Sequence, residues 1–245
     1  MTSAELLATA AELAGRHQSA LNAMLHFAHW GPTRLREEIQ REGWFARLEE
    51  VLIAVYVGRS VHRIGPPGAA DLSDERCLEL VSPKLKMALA AYEGGSVVML
   101  GKTGLGKSLT ARLMARKVAR RLARESIVNA RHRLENPAEY PSASVSVAWY
   151  SATDLALTVA RHPLGRGAPD EVKDARSSAL LVLDDLTWPQ RDDTTLEVLG
   201  ARYDAGKPTI VTAGCTRTEL ITRFGDAVVR RLLECKGQKA LLVEE

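Results

Sequence analysis

Five short apolar runs, separated by longer stretches of helical period, set the plan of the chain from about residue 73 onward. Ser96 to Leu100, Ala179 to Leu183 and Pro208 to Ala213 are almost wholly apolar, as strands buried on both faces must be. Ser144 to Tyr150 alternates and carries β-branched residues, and Ala240 to Val243 reads as a short last strand. Between them, Leu109 to Arg124, the stretch from Asp154, Thr194 to Ala205 and Thr218 to Glu234 read as helices. Arg161 to Asp170 is a Gly/Pro-rich basic loop, and Gly214-Cys215-Thr216 is the exit of the fourth run. Strands alternating with helices predict an α/β fold: a parallel sheet flanked by helices, with ligands at the carboxyl ends of the strands.

The first third has a different pattern. Thr2-Ser3-Ala4-Glu5 is a capping box ahead of an Ala/Leu-rich helix reaching about Trp30, where Gly31-Pro32 stops it. Thr33 caps a second helix to about Glu42, and Trp44 to about Arg63 forms a third. Its apolar set, Leu48, Val51, Leu52, Val55 and Tyr56, has the i, i+3, i+4 spacing of packing residues. His26 and His29 lie close together, but with no carboxylate or thiol at ligand spacing they do not read as a metal site. Gly65-Pro66-Pro67-Gly68 breaks the helical run. We therefore expect a small all-helical N-terminal region (1–64) suited to holding a partner, a linker (65–72) and an α/β domain (73–245). Ser73 and Ser82-Pro83 are N-cap signals for two helices at the start of that domain, the second ending before Gly94-Gly95.

The chemistry concentrates at two strand ends. After the first apolar run, Gly101-Lys102-Thr103-Gly104-Leu105-Gly106-Lys107-Ser108 fits GxxxxGK(S/T), and Leu109 continues into the helix. Glycines let successive backbone N–H groups curl around phosphate oxygens, and the helix N-terminus adds partial positive charge. In such a cradle Lys107 reaches the β- and γ-phosphates and the Ser108 hydroxyl binds Mg²⁺. The ligand expected is ATP with Mg²⁺. The third apolar run ends in Asp184-Asp185, the pattern of an acid pair facing a phosphate site. Asp184 suits the metal, on a strand expected beside the first; Asp185 suits the attacking water, whose proton a carboxylate can accept.

Composition narrows the setting. With 46% apolar residues in 245, the chain can bury a full core. Cys77, Cys215 and Cys235 are scattered with no CxxC spacing, which argues against zinc and against a disulfide framework. No basic leader and no apolar run of about 20 residues is present, so the expectation is a cytoplasmic protein with no membrane partner. A net charge of +3 implies little by itself. Its clustering at Arg112, Arg116, Lys117, Arg120, Arg121 and Arg124, and again at Arg161 to Arg166, suggests either a solvated face or a strip for nucleic acid.

Taken together these blocks resemble AAA+ ATPases of the DnaC and IstB type, bacterial helicase loaders and transposition helpers. The resemblance runs from about Leu89 onward through the GxxxxGKS loop, Tyr150-Ser151-Ala152-Thr153-Asp154-Leu155, Asp184-Asp185-Leu186, and Leu199 to Thr212, which is similar to a block written "Ry..gkptiiT". It implies a P-loop NTPase sheet, catalytic roles for Lys107, Asp185, Thr212 and Arg231, and assembly through an arginine finger. That finger matches Arg231 in Gly225-Asp226-Ala227-Val228-Val229-Arg230-Arg231-Leu232. The pattern departs from the family in two places. Ala227 replaces an arginine, and Gly214 stands where a γ-phosphate-sensing asparagine is common, leaving the Thr212 hydroxyl nearby and pointing to slow hydrolysis. Fourteen residues follow Arg231, so no full lid domain is expected. The partners implied are a replicative helicase or a transposase, with DNA, single-stranded by preference, and further copies of the chain. A nucleotide-gated interaction protein with little turnover is the alternative from another class.

Overall fold

The computed structural model of the chain describes residues 65–66, 72–135, 147–163, 165–186, 193–235 and 238–244; the side chains of 123–124, 126–135, 235 and 238–239 are outside that description. The helices expected before residue 64 and most of the linker lie outside the described residues. The chain divides into two compact units, residues 60–118 with 146–245, and residues 1–59 with 119–145. The sheet belongs to the first.

Two short helices lead in, α1 (Asp74–Glu79) and α2 (Pro83–Ala91). Both start where the serines expect: the Ser73 hydroxyl accepts from the Arg76 amide and the Ser82 hydroxyl from the Leu85 amide. Strand β1 (Val97–Leu100) follows, then α3 (Lys107–Glu135), β2 (Val147–Ser151), α4 (Ala152–Arg161), α5 (Asp170–Ser177), β3 (Leu180–Asp184) and α6 (Asp193–Ala205). The unit closes with β4 (Thr209–Thr212), α7 (Arg217–Phe224), α8 (Asp226–Leu233), the two-residue pair β5 (Glu234–Cys235) and β6 (Gln238–Lys239), and β7 (Leu241–Glu244).

The sheet is parallel throughout, in the order β2-β3-β4-β1-β7. Its three central strands are buried along their whole length, with Leu180 to Leu183, Val97 and Ile210 at 0–1% exposure. Fully burying each such side chain contributes about 1.5–3 kcal/mol before chain entropy is counted. One core cluster joins Leu100, Leu181, Leu183 and Val211 to Leu155 of α4, Val172 and Ala175 of α5, Val198 of α6, and Leu220 and Val229 of α7 and α8.

The fold agrees with the expected α/β class and differs from the finer expectations in three places. First, β3 is not beside β1: β4 lies between them, so Asp184 is two strands away from the glycine loop. Second, α5 occupies the end of the expected basic loop and beyond. Only Val172 and Ala175 of its eight residues are buried, too few to give a clear apolar period. Third, the single helix expected over Thr218 to Glu234 is two. Gly225, at φ +84°, caps α7 by donating to the Ile221 carbonyl and turns the chain before α8 begins. A residue with a Cβ rarely adopts that φ, which is why the break falls on the glycine.

Candidate nucleotide site at the carboxyl edge of the sheet

The glycine loop leaves β1 and enters α3 within six residues. Gly101, Gly104 and Gly106 have φ of +126°, +91° and +90°, the left-handed half of backbone space that makes such a tight path possible. Gly106 also needs its missing Cβ: an added carbon would come within 2.9 Å of Val81 Cα and 3.0 Å of the Leu80 carbonyl oxygen. The turn between α1 and α2 therefore forms the floor of the loop, and the Ser82 amide donates to the Leu105 carbonyl at 3.2 Å. Nothing in the motif itself announces this floor; Ser82 is legible only as a helix cap. Lys102, Thr103 and Gly104 face solvent, while Leu105, Ser108 and Leu109 are half-buried. Lys107, 8% exposed, directs its ammonium at the carbonyls of Gly101 (2.8 Å) and Lys102 (2.6 Å), inside the ring of the loop.

Three strand ends meet this loop. The Ser108 hydroxyl, at the start of α3, donates to Asp184 Oδ1 at 2.8 Å, although 76 residues and one intervening strand separate them. The intervening strand supplies the bridge: Thr212, the last residue of β4, donates from Oγ1 to the same oxygen at 2.5 Å. Asp184 is 7% exposed. Burial pushes its carboxyl above the ordinary 3.8, opposed by the hydrogen bonds from Thr212 and Ser108 and reinforced by the neighbouring Asp185. Asp185 is exposed and takes φ +56°, the one non-glycine among the described residues with positive φ. Its amide donates to Thr212 Oγ1 at 2.9 Å, and the Leu186 amide donates to the Thr212 carbonyl at 2.8 Å. The Cys215 carbonyl, just beyond β4, ties down the far side of the loop by accepting from the Gly101 amide at 3.1 Å; burial separately raises the pKa of the Cys215 thiol.

The donor set suits a magnesium nucleotide. A hydroxyl that donates to a carboxylate at 2.8 Å places together two hard oxygen ligands of the kind Mg²⁺ prefers, and a buried ammonium beside backbone N–H groups of a helix N-terminus suits phosphate. Ser108 and Asp184 would hold the cation, and Lys107 with the loop backbone would hold the phosphates.

Other expected residues lie elsewhere. Arg231, exposed on α8, sits over the Tyr203 ring with its guanidinium carbon 5.8 Å from the ring centre. Both line a groove with Ser96, Lys207 and Thr209, at the amino ends of β1 and β4. That is the opposite edge of the sheet from the glycine loop, so Arg231 does not join the Lys107–Asp184 cluster of its own chain.

The basic strip on α3 is corrected in part. Arg112 is fully buried and donates to the Leu72 carbonyl and to Cys77 Sγ, both at 3.2 Å. Arg116 pairs with Asp74 at 2.7 Å, and the Lys117 ammonium bonds to the Tyr92 carbonyl. These three cations clasp α1 and α2 to α3. Arg120 and Arg121 are exposed, the latter near Glu125 at 3.8 Å, and the Arg124 side chain lies outside the described residues. Arg161 and Arg166 are exposed. Among the described residues no helix is long and apolar enough to cross a membrane, and no group of three or more His, Cys, Asp or Glu side chains could hold a metal ion.

No protein-family model and no curated protein sequence matches the chain. Several solved structures are similar to it in fold. They include the AMPPCP-bound DnaA from Aquifex aeolicus (20% identity over 65% of this chain, TM-score 0.43) and DnaI (17% over 76%, TM-score 0.45). A third is the DnaC helicase loader (21% identity over 65%, TM-score 0.41). The likeness spans 93% of the DnaI chain and 85% of the DnaC chain, but only 44% of the DnaA chain.

Proposed function

We propose that the chain is an ATP-binding AAA+ ATPase that acts as a DnaC-like helicase loader, assembling on DNA and delivering or remodelling a partner protein. The observation that carries the nucleotide part is the Ser108–Asp184 hydrogen bond at 2.8 Å. It brings the end of the GxxxxGKS loop and the first acid of the Asp184-Asp185 pair to one point at the carboxyl edge of a parallel sheet, where such folds bind ligands. Lys107 and the loop from Gly101 to Leu109, through its amides beyond Gly101, bind and orient the triphosphate. Asp184 and Ser108 hold Mg²⁺, which when bound neutralises the charge developing on the phosphates. Asp185, exposed beside them, orients the attacking water and takes its proton. Thr212 lies between the two acids.

The loader part is supported by the ordered motif blocks. In this reading residues 1–64 grip a helicase, residues 65–72 link them to the ATPase domain, and Arg120, Arg121, Arg161 and Arg166 remain as exposed cations for single-stranded DNA. Arg231 points to assembly: at the far edge of the sheet it can act only on the nucleotide of a neighbouring copy. A guanidinium suits that task because it is always charged and binds phosphate with two donors.

A second reading, favoured by Gly214, is a nucleotide-gated interaction protein with little turnover; an IstB-like transposition helper shares the same site. ATP turnover measured alone, with single-stranded DNA and with duplex DNA separates these. Stimulation by single strands supports the loader, and stimulation by duplex supports the transposition helper. Tight ATP binding with equally negligible turnover in every condition supports the gate. For Arg231→Ala we expect unchanged nucleotide affinity and turnover lowered about 1,000-fold or more, the range fingers contribute. Surviving turnover would place the finger elsewhere.

A further inference from the structure

The ladder between β3 and β4 stops at the pair Leu183–Val211, one residue short of the acids. Beyond it the chain of β3 turns, and the turn is left-handed at Asp185, a conformation uncommon for a non-glycine residue, though aspartate tolerates it better than most. One side chain of β4 contacts both acids at this turn. Thr212 is 2% exposed, and its hydroxyl makes two bonds, donating to Asp184 Oδ1 at 2.5 Å and accepting from the Asp185 amide at 2.9 Å. A hydroxyl has one proton, so the directions are fixed: that proton goes to the carboxylate and a lone pair faces the amide. The Thr212 carbonyl adds a third bond, from the Leu186 amide, which does not depend on the side chain.

From this geometry we infer that Thr212 is a positioning residue which couples the two acids, its hydroxyl fixing the Asp184 carboxylate towards Ser108 and locking the left-handed turn that aims Asp185. Its proton is committed to Asp184, so the hydroxyl acts through the acids and not by donating to a phosphate. Ser108 on α3 and Thr212 on β4 donate to the same oxygen and together orient the Asp184 carboxylate. The coupling also explains how a strand that is not the neighbour of β1 can serve the loop that follows β1. The inference rests on the reading of this cluster as a magnesium–nucleotide site, and its test has one arm that does not.

That arm is amide exchange followed by NMR in the nucleotide-free protein, comparing wild type with Thr212→Ser, Thr212→Ala and Thr212→Val. Removing the hydroxyl in the alanine and valine variants should speed exchange of the Asp185 amide about tenfold or more, while the Leu186 amide changes less than about twofold. The serine variant should match wild type. Serine against alanine isolates the hydroxyl with the methyl gone from both, so the comparison stands if valine disturbs folding. The second arm titrates Mg²⁺ against binding of a fluorescent ATP analogue. Alanine should raise the Mg²⁺ concentration needed for half-maximal tightening about tenfold and leave affinity in chelator within about twofold, with serine again like wild type. A serine variant as defective as alanine, or an Asp185 amide indifferent to the alanine change, overturns the inference. Wild-type protein with no Mg²⁺-dependent nucleotide binding overturns the reading of the site instead, and the exchange contrast then still decides whether Thr212 holds the turn.

Discussion

Two cations are buried at opposite ends of the same sheet, Lys107 at the carboxyl edge and Arg202 at the amino edge, at 8% and 1% exposure. Each stands in a sequence block by which the family resemblance is read, so sequence gives them equal standing. Their surroundings do not. Arg202, on α6, donates to Thr209 Oγ1 at 3.0 Å, to the carbonyls of Ala175 (2.8 Å), Ser178 (2.9 Å) and Pro208 (2.6 Å), and to Ser178 Oγ at 3.2 Å. It thereby ties α6 to the end of α5 and to the start of β4, with every contact inside the protein. Lys107 is bonded to two carbonyls of its own glycine loop, in a ring of backbone that suits an anion. Desolvating a charge costs several kcal/mol unless the surroundings replace its hydration. At Arg202 the fold replaces it, and the residue is architecture. At Lys107 the two carbonyls belong to the glycine loop itself, and a phosphate offers a better partner.

The largest expected effect breaks the architectural side. Arg202→Ala strips the donors from a set of buried acceptors and should cost about 3–5 kcal/mol of stability, measured by denaturant unfolding. Nucleotide affinity of the folded fraction should stay within about threefold of wild type. A stable variant that has lost nucleotide binding would reverse the assignment. On the other side, Lys107→Ala should weaken ATP binding about 100-fold, the worth of one or two charge-assisted bonds to phosphate, with little change in unfolding midpoint. Retained affinity would remove the ammonium from the site, and a large fall in stability would put Lys107 in the same class as Arg202.

The contrast also marks what sequence makes legible. The glycine loop and its lysine are a local code: eight consecutive residues dictate the backbone path, so Gly101 to Ser108 could be placed from spacing alone. Asp184 is legible for a similar reason, as the first acid after a run too apolar to lie anywhere but in the core. The strand order is not local, and nothing in β3 says that β4 separates it from β1. Thr212 illustrates the consequence: a threonine ending an apolar strand is visible in the sequence, but its bonds to Asp184 and Asp185 exist only because the strands are neighbours. The cations of α3 mislead in the same way. Arg112, Arg116 and Lys117 have the spacing of a solvated strip, while their acceptors, Leu72, Asp74 and Tyr92, come from segments far earlier in the chain. Gly225 misleads differently, because a lone glycine in a helical period is tolerated at a cost of about 1 kcal/mol, and only its φ of +84° distinguishes a break from a weak point.

The smallest effect sharpens the comparison on the acid side. Burial is the largest influence on Asp184 and raises its pKa in the native state, while the unfolded chain returns the carboxyl to its ordinary 3.8. A group whose native pKa is raised binds protons more tightly folded than unfolded. Its contribution to stability is therefore fully present below the unfolded value and is lost as pH rises through the native one. Without nucleotide or divalent cation, Asp184→Asn should accordingly be no less stable than wild type near neutral pH, and its relative stability should decline towards wild type as pH falls through the carboxylate range. Asparagine can still accept from Ser108 and Thr212 but has nothing to ionise. The difference should be small, because the two hydroxyl donors already offset part of the desolvation. Unfolding curves of both proteins at several pH values, in chelator, measure it. A difference flat with pH, or a wild type that gains on the variant as pH rises, would mean that the folded chain already stabilises the Asp184 charge. Asp184 would then resemble Arg202, a group satisfied by its own protein, and not an acid whose charge a bound cation stabilises.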